Sequence, residues 1–423
     1  MDNREKLNAL VREAESSLRP IFEEIDQRAY LNTERILASF RQNRVSEACF
    51  NPTTGYGYND SGREKLERIY AEVFETEAAL VRMQIFSGTH ALTIGLFGLL
   101  RPGDIMLSVT GRPYDTLEEV IGIGKAQGQG SLKDFGIEYR EVPLSPEGSP
   151  DMAAVERGIR SAGQKLKMVF IQRSKGYLNR KTLSVSEIGE LVQMVRRIKP
   201  DTFVVVDNCY GEFVEEHEPT SVGADLCIGS LIKNPGGGMA ETGGYLCGTE
   251  KAVELVSYRL TSPGTGGETG ATLGQNKNMF KGLFYAPHTV AQALKTAHLA
   301  AYVCESLGLS VEPKWDERRY DIIQAISTLS REAMQSFCRG LQAGSPVDSF
   351  ATPVPEPMPG YADEVIMAAG AFTSGSSIEL SADGPIRPPY TLYLQGGLTY
   401  ESGKYGILSA ISAMLEDGIV TFR

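Results

Sequence analysis

One lysine, Lys233, lies where its neighbours suit it to chemistry on a carbonyl compound. It follows a short apolar segment, Leu226 to Ile228, and it precedes a run of glycines. The glycines keep bulky side chains away from the amine. A partly desolvated lysine close to another cation has a lowered pKa and can form a Schiff base with a carbonyl group. Ser230, three residues before the lysine, can offer a hydroxyl to a phosphate.

A carboxylate, Asp207, completes this set at the end of a second apolar run, Phe203 to Val206. Both runs are typical of buried strands in a mainly parallel sheet, and ligands bind at the C-terminal edge of such sheets. A buried carboxylate needs a cationic partner, and a protonated pyridine nitrogen is one. Singly, such a lysine is more often solvated and such an aspartate is more often a helix N-cap. Together they predict the protein's half of a pyridoxal phosphate site.

A second candidate contact for the phosphate lies where a strand-like pattern leads into a helical one. The start of a helix presents free backbone amides and the positive end of the helix dipole, which suits an anion. Serine and threonine are also common N-caps without any ligand, so this turn alone does not indicate a phosphate site. Together with the lysine and the aspartate, it predicts the contact with the phosphate. The turn consists of Ser87, Gly88, Thr89 and His90.

Three further side chains are candidates for cofactor or substrate contacts. Tyr114 follows a predicted strand and could lay its ring over a planar cofactor, or lie in a surface turn. Arg173 also follows a predicted strand and could pair with the cofactor, or form a surface salt bridge. Arg387 lies between prolines that stiffen its backbone, so it could hold the carboxylate of an amino acid substrate, or form a structural salt bridge.

Composition limits the other classes of function. The net charge of −11 and the pI near 5.1 argue against nucleic acid or an anionic membrane as the main partner. The polar start and the lack of a long apolar stretch predict a cytoplasmic protein without a membrane span. Six cysteines and four histidines show no ligand spacing, so neither a disulfide framework nor a metal site is expected. Cys209 is better interpreted as a small buried hydrophobe than as a reactive thiol.

Strand and helix patterns alternate from residue 81 to 247, which predicts an α/β fold with a parallel sheet covered on both faces. Residues 1–60 are expected to form an N-terminal helical segment and an active-site loop. Residues 61–300 are expected to form a large cofactor-binding domain, and residues 301–423 a smaller α+β domain. In the latter, helices are predicted around 318–336 and 405–416, with apolar runs at 365–372 and 390–394.

Three motifs in this order resemble fold type I pyridoxal phosphate enzymes: Phe86 to Leu92, Val205 to Phe213 and Gly223 to Gly237. The chain most closely resembles the methionine γ-lyase-like, aluminium-resistance group, which is similar to cystathionine β-lyase, over nearly its whole length. The resemblance implies a large domain with a mostly parallel sheet of the seven-stranded type and a smaller C-terminal domain. It implies that Lys233 is the Schiff-base lysine and that Asp207 contacts the pyridine nitrogen. It places around the phosphate Ser87, Gly88, Thr89 and Ser230.

The resemblance also implies a homodimer or tetramer whose active site borrows a loop from the partner subunit. Tyr56 or Tyr58, in a polar glycine-rich loop, is the candidate for that contact. Well-studied members carry a Tyr-Gly-Gly-Thr turn whose tyrosine stacks on the cofactor, and here the nearest match is Pro113 to Thr116. Their C-terminal serine and arginine environment is replaced by the proline-flanked Arg387, which leaves the choice of substrate open.

These residues predict a carbon–sulfur lyase. Lys233 would take the Cα proton of a sulfur-containing amino acid of the cystathionine, methionine or cysteine type, and a thiol would leave by β- or γ-elimination. An aminotransferase would share every residue named above. A non-catalytic protein on this fold, linked to metal tolerance, is the alternative from another class.

Overall fold

The computed structural model describes residues 3–124, 128–178 and 180–422. The chain forms two compact units: Thr33–Phe284 is one, and the segments up to Asn32 and from Tyr285 onward together form the other. These extents differ from the three predicted regions (1–60, 61–300 and 301–423), which stay predictions. The difference arises because the N-terminal residues share a unit with the C-terminal part of the chain.

The regular elements are named in chain order. The helices are α1 (Asn3–Gln42), α2 (Ser61–Val73), α3 (Gly88–Leu99), α4 (Asp115–Ile121), α5 (Met152–Ala162), α6 (Val185–Ile198), α7 (Glu250–Leu260), α8 (Asn276–Ser306), α9 (Arg331–Ala343) and α10 (Tyr400–Glu416). The strands are β1 (Ala78–Arg82), β2 (Ile105–Ser108), β3 (Glu138–Glu141), β4 (Leu166–Gln172), β5 (Phe203–Asp207), β6 (Leu226–Ser230), β7 (Gly244–Gly248), β8 (Ser310–Glu312), β9 (Gln324–Ser327), β10 (Val365–Ala368), β11 (Ser381–Pro385) and β12 (Thr391–Gln395).

The larger unit is built on a seven-stranded sheet with the order β1-β7-β6-β5-β4-β2-β3. Neighbouring strands in the part of the sheet with the order β6-β5-β4-β2-β3 pair in parallel. Strand β7 is antiparallel to both of its neighbours, β6 and β1. All five residues of β5 and of β6 are buried, as their unbroken apolar runs predict for strands covered on both faces. One apolar core includes residues of α3 and α7, and the other includes residues of α5 and α6. The predicted α/β fold with a mostly parallel sheet is confirmed.

The smaller unit holds a five-stranded antiparallel sheet with the order β10-β11-β12-β9-β8. The predicted helix over 318–336 is wrong in its first part, because Gln324–Ser327 is strand β9. In β9 buried residues alternate with half-buried ones, which is the two-residue period of a strand. The helix begins only at Arg331, where the Ser330 hydroxyl accepts a hydrogen bond from the Ala333 amide. Among the described residues, no helix is both long and apolar enough to cross a membrane.

Candidate active site

The carboxyl ends of three neighbouring parallel strands bring polar side chains to one edge of the large sheet. Gln172 at the end of β4 pairs in register with Asp207 at the end of β5. Asp207 in turn lies beside Ile228 of β6, two residues before Ser230. Lys233 follows three residues after the end of β6. This is the edge at which open α/β sheets bind ligands, as the sequence predicts.

Helix α3 directs its N-terminus toward the same edge. The Ser87 hydroxyl accepts a hydrogen bond from the His90 amide at 3.1 Å, which caps the helix. The helix lies tightly against β6, because a Cβ added at Gly95 would come within 2.4 Å of the Ile228 side chain. That close approach needs glycine, and it fixes the position of the first turn of α3 relative to the end of β6.

The geometry around Gly88 shows how closely the predicted residues converge. A Cβ added at Gly88 would lie 3.5 Å from Cys209 Sγ, 3.7 Å from Ser230 Cβ and 3.8 Å from Lys233 Nζ. The first turn of α3, a buried serine and the lysine amine therefore surround one small space. Free amides at a helix start, a hydroxyl and an ammonium group are the donors that a phosphate group prefers. The residues present thus fit the phosphate of pyridoxal phosphate.

Lys233 is surrounded by acidic groups. Burial by itself lowers the pKa of its amine, but the acidic groups around it, the Asp207 carboxylate among them, outweigh burial and raise that pKa well above the ordinary value. The predicted lowering of the Lys233 pKa by a neighbouring cation is therefore wrong for the protein without a ligand. A protonated lysine in this place attracts an anionic ligand to the first turn of α3.

Asp207 is a buried carboxylate held by its own loop. Its Oδ1 accepts a hydrogen bond from the Cys209 amide at 3.1 Å. Burial raises the pKa of Asp207, and the charge of Lys233 opposes that rise. No helix begins after Asp207, since the chain continues into turns, so the helix-cap interpretation does not apply. A fixed, buried carboxylate of this kind can face a cationic ring nitrogen.

Tyr114 is tied to both sides of the site. Its amide donates to Gln172 Oε1 at 2.9 Å, and its hydroxyl lies 2.8 Å from the Thr89 hydroxyl. Burial raises the pKa of Tyr114, and the charge of Asp207 raises it further, so the phenol stays protonated. Tyr114 therefore belongs to the candidate site rather than to a surface turn. Its stacking on the cofactor stays a prediction.

Arg173 is a correction to the sequence interpretation. Its side chain is 0% exposed and ion-paired with Glu215, at 2.7 Å, and with Glu218, at 3.6 Å. It also donates to Asn208 Oδ1 at 2.8 Å and to the Gly211 carbonyl at 3.0 Å. Its Nη donors are thus committed to the segment that follows Asp207, and its Nε donates to the Leu183 carbonyl at 3.2 Å. The surface salt bridge considered for Arg173 is therefore wrong, because the side chain is buried, and its contact with the cofactor stays a prediction.

The other predicted residues occupy separate places. The His90 ring packs on Phe86 with centroids 4.6 Å apart, and burial lowers its pKa, which favours the neutral ring. Tyr56 and Tyr58 are 71% and 57% exposed and stack on each other with centroids 5.5 Å apart. Arg387 lies in the smaller unit, where its Nη1 donates to Asp363 at 2.9 Å. The roles predicted for these side chains stay predictions.

Two residues beside Lys233, Cys209 and Tyr210, are not among the site residues that the sequence predicts. The Lys233 Nζ lies 4.1 Å from the centroid of the Tyr210 ring. Cys209 is buried, as expected, and burial raises the pKa of its thiol well above the ordinary value, which keeps it protonated. Both residues follow Asp207 within three positions. A signal that could have found them is their place directly after a buried strand that ends in a carboxylate.

Glu212 is a buried carboxyl group behind the site. Its Oε1 accepts a hydrogen bond from the Tyr245 hydroxyl at 2.7 Å, whereas its Oε2 has no hydrogen-bond partner among the described residues. Burial raises the pKa of Glu212 to about 8, although the bond from Tyr245 opposes the rise. Glu212 is therefore protonated in the folded protein at neutral pH.

This raised pKa predicts a specific dependence of stability on pH. The folded protein binds the Glu212 proton more tightly than the unfolded chain does, so the contribution to stability is full below the unfolded pKa near 4.5 and is lost as the pH rises toward 8. The loss is at most about 5 kcal/mol. Urea unfolding of the wild type and of Glu212→Gln from pH 5 to 8.5 measures it. We expect the wild type to lose stability relative to Glu212→Gln as the pH rises.

The control for this experiment is Glu156→Gln, which removes a carboxylate from a solvent-exposed ion pair with Arg160. Its stability relative to the wild type should stay within about 0.5 kcal/mol over the same pH range. A difference between wild type and Glu212→Gln that does not change with pH would contradict the raised pKa.

Known proteins resemble this chain over nearly its whole length. The family model for methionine gamma-lyase matches residues 7–415. The uncharacterized protein YnbB of Bacillus subtilis (strain 168) is 52% identical over 416 residues, which cover 98% of each chain. The structure of a carbon-sulfur lyase involved in aluminum resistance from Clostridium novyi NT has a TM-score of 0.93 and 49% identity, and the match covers 97% of this chain and 96% of that one.

A more distant structure supports the fold alone. The pyridoxal-5'-phosphate dependent protein YhfS from Escherichia coli has a TM-score of 0.60 and 15% identity, with 93% of this chain and 97% of that one covered. The fold is therefore that of fold type I pyridoxal phosphate enzymes, in agreement with the motifs. The match over residues 7–415 shows that this chain belongs to the methionine gamma-lyase family, whose members depend on pyridoxal phosphate.

Proposed function

We propose that this protein is a pyridoxal phosphate-dependent carbon–sulfur lyase that acts by β- or γ-elimination on a sulfur-containing amino acid. One observation carries the proposal: Lys233 Nζ, Ser230 and the first turn of α3 converge within 4 Å of a Cβ position at Gly88, with the buried Asp207 carboxylate beside the lysine. The family match and the carbon-sulfur lyase from Clostridium novyi support the same reaction class.

Each of these residues has a proposed task in holding the cofactor. The backbone amides of Gly88 and Thr89, with the Ser87 and Ser230 hydroxyls, hold the phosphate, because they lie at the start of α3 and at the end of β6. The Asp207 carboxylate faces the ring nitrogen and keeps it protonated. The Tyr114 side chain would lie against the ring. Bound in this way, pyridoxal phosphate supplies a ring that accepts electrons from the Cα of the substrate.

Lys233 has two proposed tasks. Its amine would hold the cofactor covalently and would be released when a substrate amine takes its place. The released amine then removes the Cα proton and, once protonated, holds that proton close to the substrate. The sulfur leaves as a thiolate with the bonding electrons of its carbon–sulfur bond and takes up a proton to become the thiol. When the sulfur is on the γ carbon, a Cβ proton has to be removed as well. Hydrolysis of the remaining fragment with one water gives a keto acid and ammonia. The acidic neighbours of Lys233 stabilise the protonated state that this step creates.

Two further assignments, one in the smaller unit and one in an exposed loop of the larger unit, are secondary proposals. Arg387 is proposed to hold the substrate carboxylate, for which its present partner, Asp363, would have to share the guanidinium. Tyr56 or Tyr58 is proposed to reach the active site of a partner subunit in a homodimer or tetramer. The backbone of their loop is fixed, since Gly270 donates to the Tyr56 carbonyl at 2.8 Å, while both rings remain exposed. The six buried, unpaired cysteines favour a cytoplasmic setting.

The visible absorption spectrum of the purified protein tests the proposal. We expect the protein to take up pyridoxal phosphate and to release thiol, keto acid and ammonia with at least one of cystathionine, methionine and cysteine. The cofactor should return as pyridoxal phosphate after each turnover. An aminotransferase would leave pyridoxamine phosphate and release no thiol, and a non-catalytic protein would release no product from any of the three. A colourless protein that takes up no cofactor would overturn the proposal.

A further inference from the structure

Tyr210 adopts a backbone conformation that is unusual for its type. Its φ is 73°, in the left-handed region, although it is not a glycine. Phe213, three residues later, is also left-handed, with a φ of 61°. Such conformations persist in bulky residues only where the surroundings enforce them, and they cluster at active sites. The loop after Asp207 contains two such left-handed residues, so specific contacts must hold its backbone in this conformation.

Buried hydrogen bonds on the inner side of this loop hold its backbone conformation. Arg173 donates to Asn208 Oδ1 and to the Gly211 carbonyl, and the Phe213 amide donates to Glu218 at 2.8 Å. A Cβ at Gly211 would come within 2.5 Å of the Arg173 guanidinium, so only glycine fits there. The loop is thus held on its inner side, and the Tyr210 ring is directed to the other side, toward Lys233.

The same loop is also tied to the lysine segment. The Asn234 amide group donates to the Glu212 carbonyl at 3.0 Å, which joins the residue after Lys233 to the Tyr210 loop. The Lys233 Nζ lies 4.1 Å from the Tyr210 ring centroid. The other cations that face rings among the described residues lie 5.0 Å or more from the ring centroid. The Lys233 contact is the closest of its kind in the described part of the chain.

We propose that Tyr210 is a positioning residue for Lys233: the face of its ring binds the lysine ammonium group and holds Nζ beside Asp207 and the first turn of α3 whenever the amine is not bound to the cofactor. This inference rests on the proposed function for its catalytic meaning. An aromatic face attracts a desolvated cation through its quadrupole, and a phenylalanine ring does this as well as a tyrosine ring. The ring, and not the hydroxyl, is therefore the part that Lys233 needs.

Competitive labelling of amines in the cofactor-free protein tests the contact. Brief pulses of an acylating reagent from pH 7 to 12, read by peptide mass spectrometry, give the pH at which Lys233 reacts at half its maximal rate. That midpoint reports the protonation of the amine, whereas easier access for the reagent changes only the maximal rate. Two variants without the ring, Tyr210→Asn and Tyr210→Gly, suit the left-handed backbone. Tyr210→Phe keeps the ring, and Lys251 on α7 is an internal control in each sample.

We expect the midpoint for Lys233 to fall by about one pH unit, a tenfold change in the proton affinity, in Tyr210→Asn and Tyr210→Gly. It should be unchanged in Tyr210→Phe, and the midpoint for Lys251 should be unchanged in every variant. Circular dichroism shows whether each variant is folded. If one ring-free variant is not folded, the Lys233 midpoint in the other ring-free variant tests the proposal. An unchanged Lys233 midpoint in a folded ring-free variant, or an equal fall in Tyr210→Phe, would overturn the proposal.

The loaded enzyme provides a second readout. In a ring-free variant kcat should fall about tenfold and its pH profile should shift, with KM nearly unchanged, while Tyr210→Phe keeps the wild-type profile. An unchanged kcat profile in a folded, loaded ring-free variant would overturn the positioning role. If the wild type takes up no cofactor but the labelling midpoint still falls, the contact stands and the proposed lyase function fails. If the wild type is an active lyase and the midpoint does not move, only the Tyr210 inference fails.

Discussion

Replacing Lys233 with alanine is expected to lower kcat for thiol release by at least about 1,000-fold. The change removes both the covalent link to the cofactor and the base that takes the Cα proton. It also removes the one ammonium group that lies beside Asp207 and within 4 Å of a Cβ position at Gly88 among the described residues. Steady-state assays of thiol release, with excess pyridoxal phosphate to compensate for weaker binding, measure the effect.

The matched control is Lys251→Ala. Lys251 is an exposed lysine on α7 that also lies near an aromatic ring, 5.7 Å from the centroid of Phe203. Its loss should leave kcat within about twofold of the wild type, because it is a surface position. A small primary amine added to Lys233→Ala should restore part of the activity by supplying a base. Activity of Lys233→Ala above a tenth of the wild type would contradict the assignment of Lys233.

Replacing Arg173 with methionine is expected to lower the free energy of unfolding by about 3 to 5 kcal/mol. The guanidinium is wholly buried, and its removal leaves the buried Glu218 without its cation and Asn208 and Gly211 without a donor. Methionine keeps much of the volume, so the loss reports the charge and the hydrogen bonds rather than a cavity. Chemical denaturation of the two proteins measures the difference.

Arg160→Met is the matched control, since Arg160 pairs with Glu156 on the exposed surface of α5. That pair, with side chains 62% and 41% exposed, should contribute no more than about 0.5 kcal/mol. Adding Glu218→Gln to Arg173→Met should recover part of the stability, because it removes the unpaired buried charge. A loss below about 1 kcal/mol for Arg173→Met would show that the buried network does not hold the loop after Asp207.

The predictable part of this protein comes from local patterns. The unbroken apolar runs before Asp207 and Ser230 predict buried parallel strands, and both are β-strands with every residue buried. The Ser87 turn predicts a capped helix start, which the His90 amide confirms. Apolar runs and helix caps depend on neighbouring residues in the chain, so they can be predicted without knowledge of the fold. Strand β9 shows the limit, because its segment was predicted as helix while long-range pairing with β12 and β8 makes it a strand.

The candidate site divides in the same way. The sequence predicts Asp207, Ser230 and the Ser87 turn because each ends a strand or begins a helix at the ligand edge of the sheet, and it predicts Lys233 because it closely follows a strand there. Arg173 looked equally suited to a ligand, since it too follows a strand. Only the fold shows that its donors are taken by Asn208 and Gly211, residues far from it in the chain. The pairing of a side chain with distant carbonyls leaves no trace in local sequence.

The sequence by itself determined the set of chemical groups at this site: an amine, a carboxylate, a hydroxyl and a helix start, each placed by the short-range rules that form strands and caps. The tertiary structure alone decided how those groups affect one another. It places the buried Asp207 carboxylate and other acidic groups around Lys233 and so raises a pKa that the sequence predicted to be lowered. It also sets the Tyr210 ring 4.1 Å from the amine. Electrostatic and cation–π energies depend on distances through space and on burial, and these are defined only once the chain has folded.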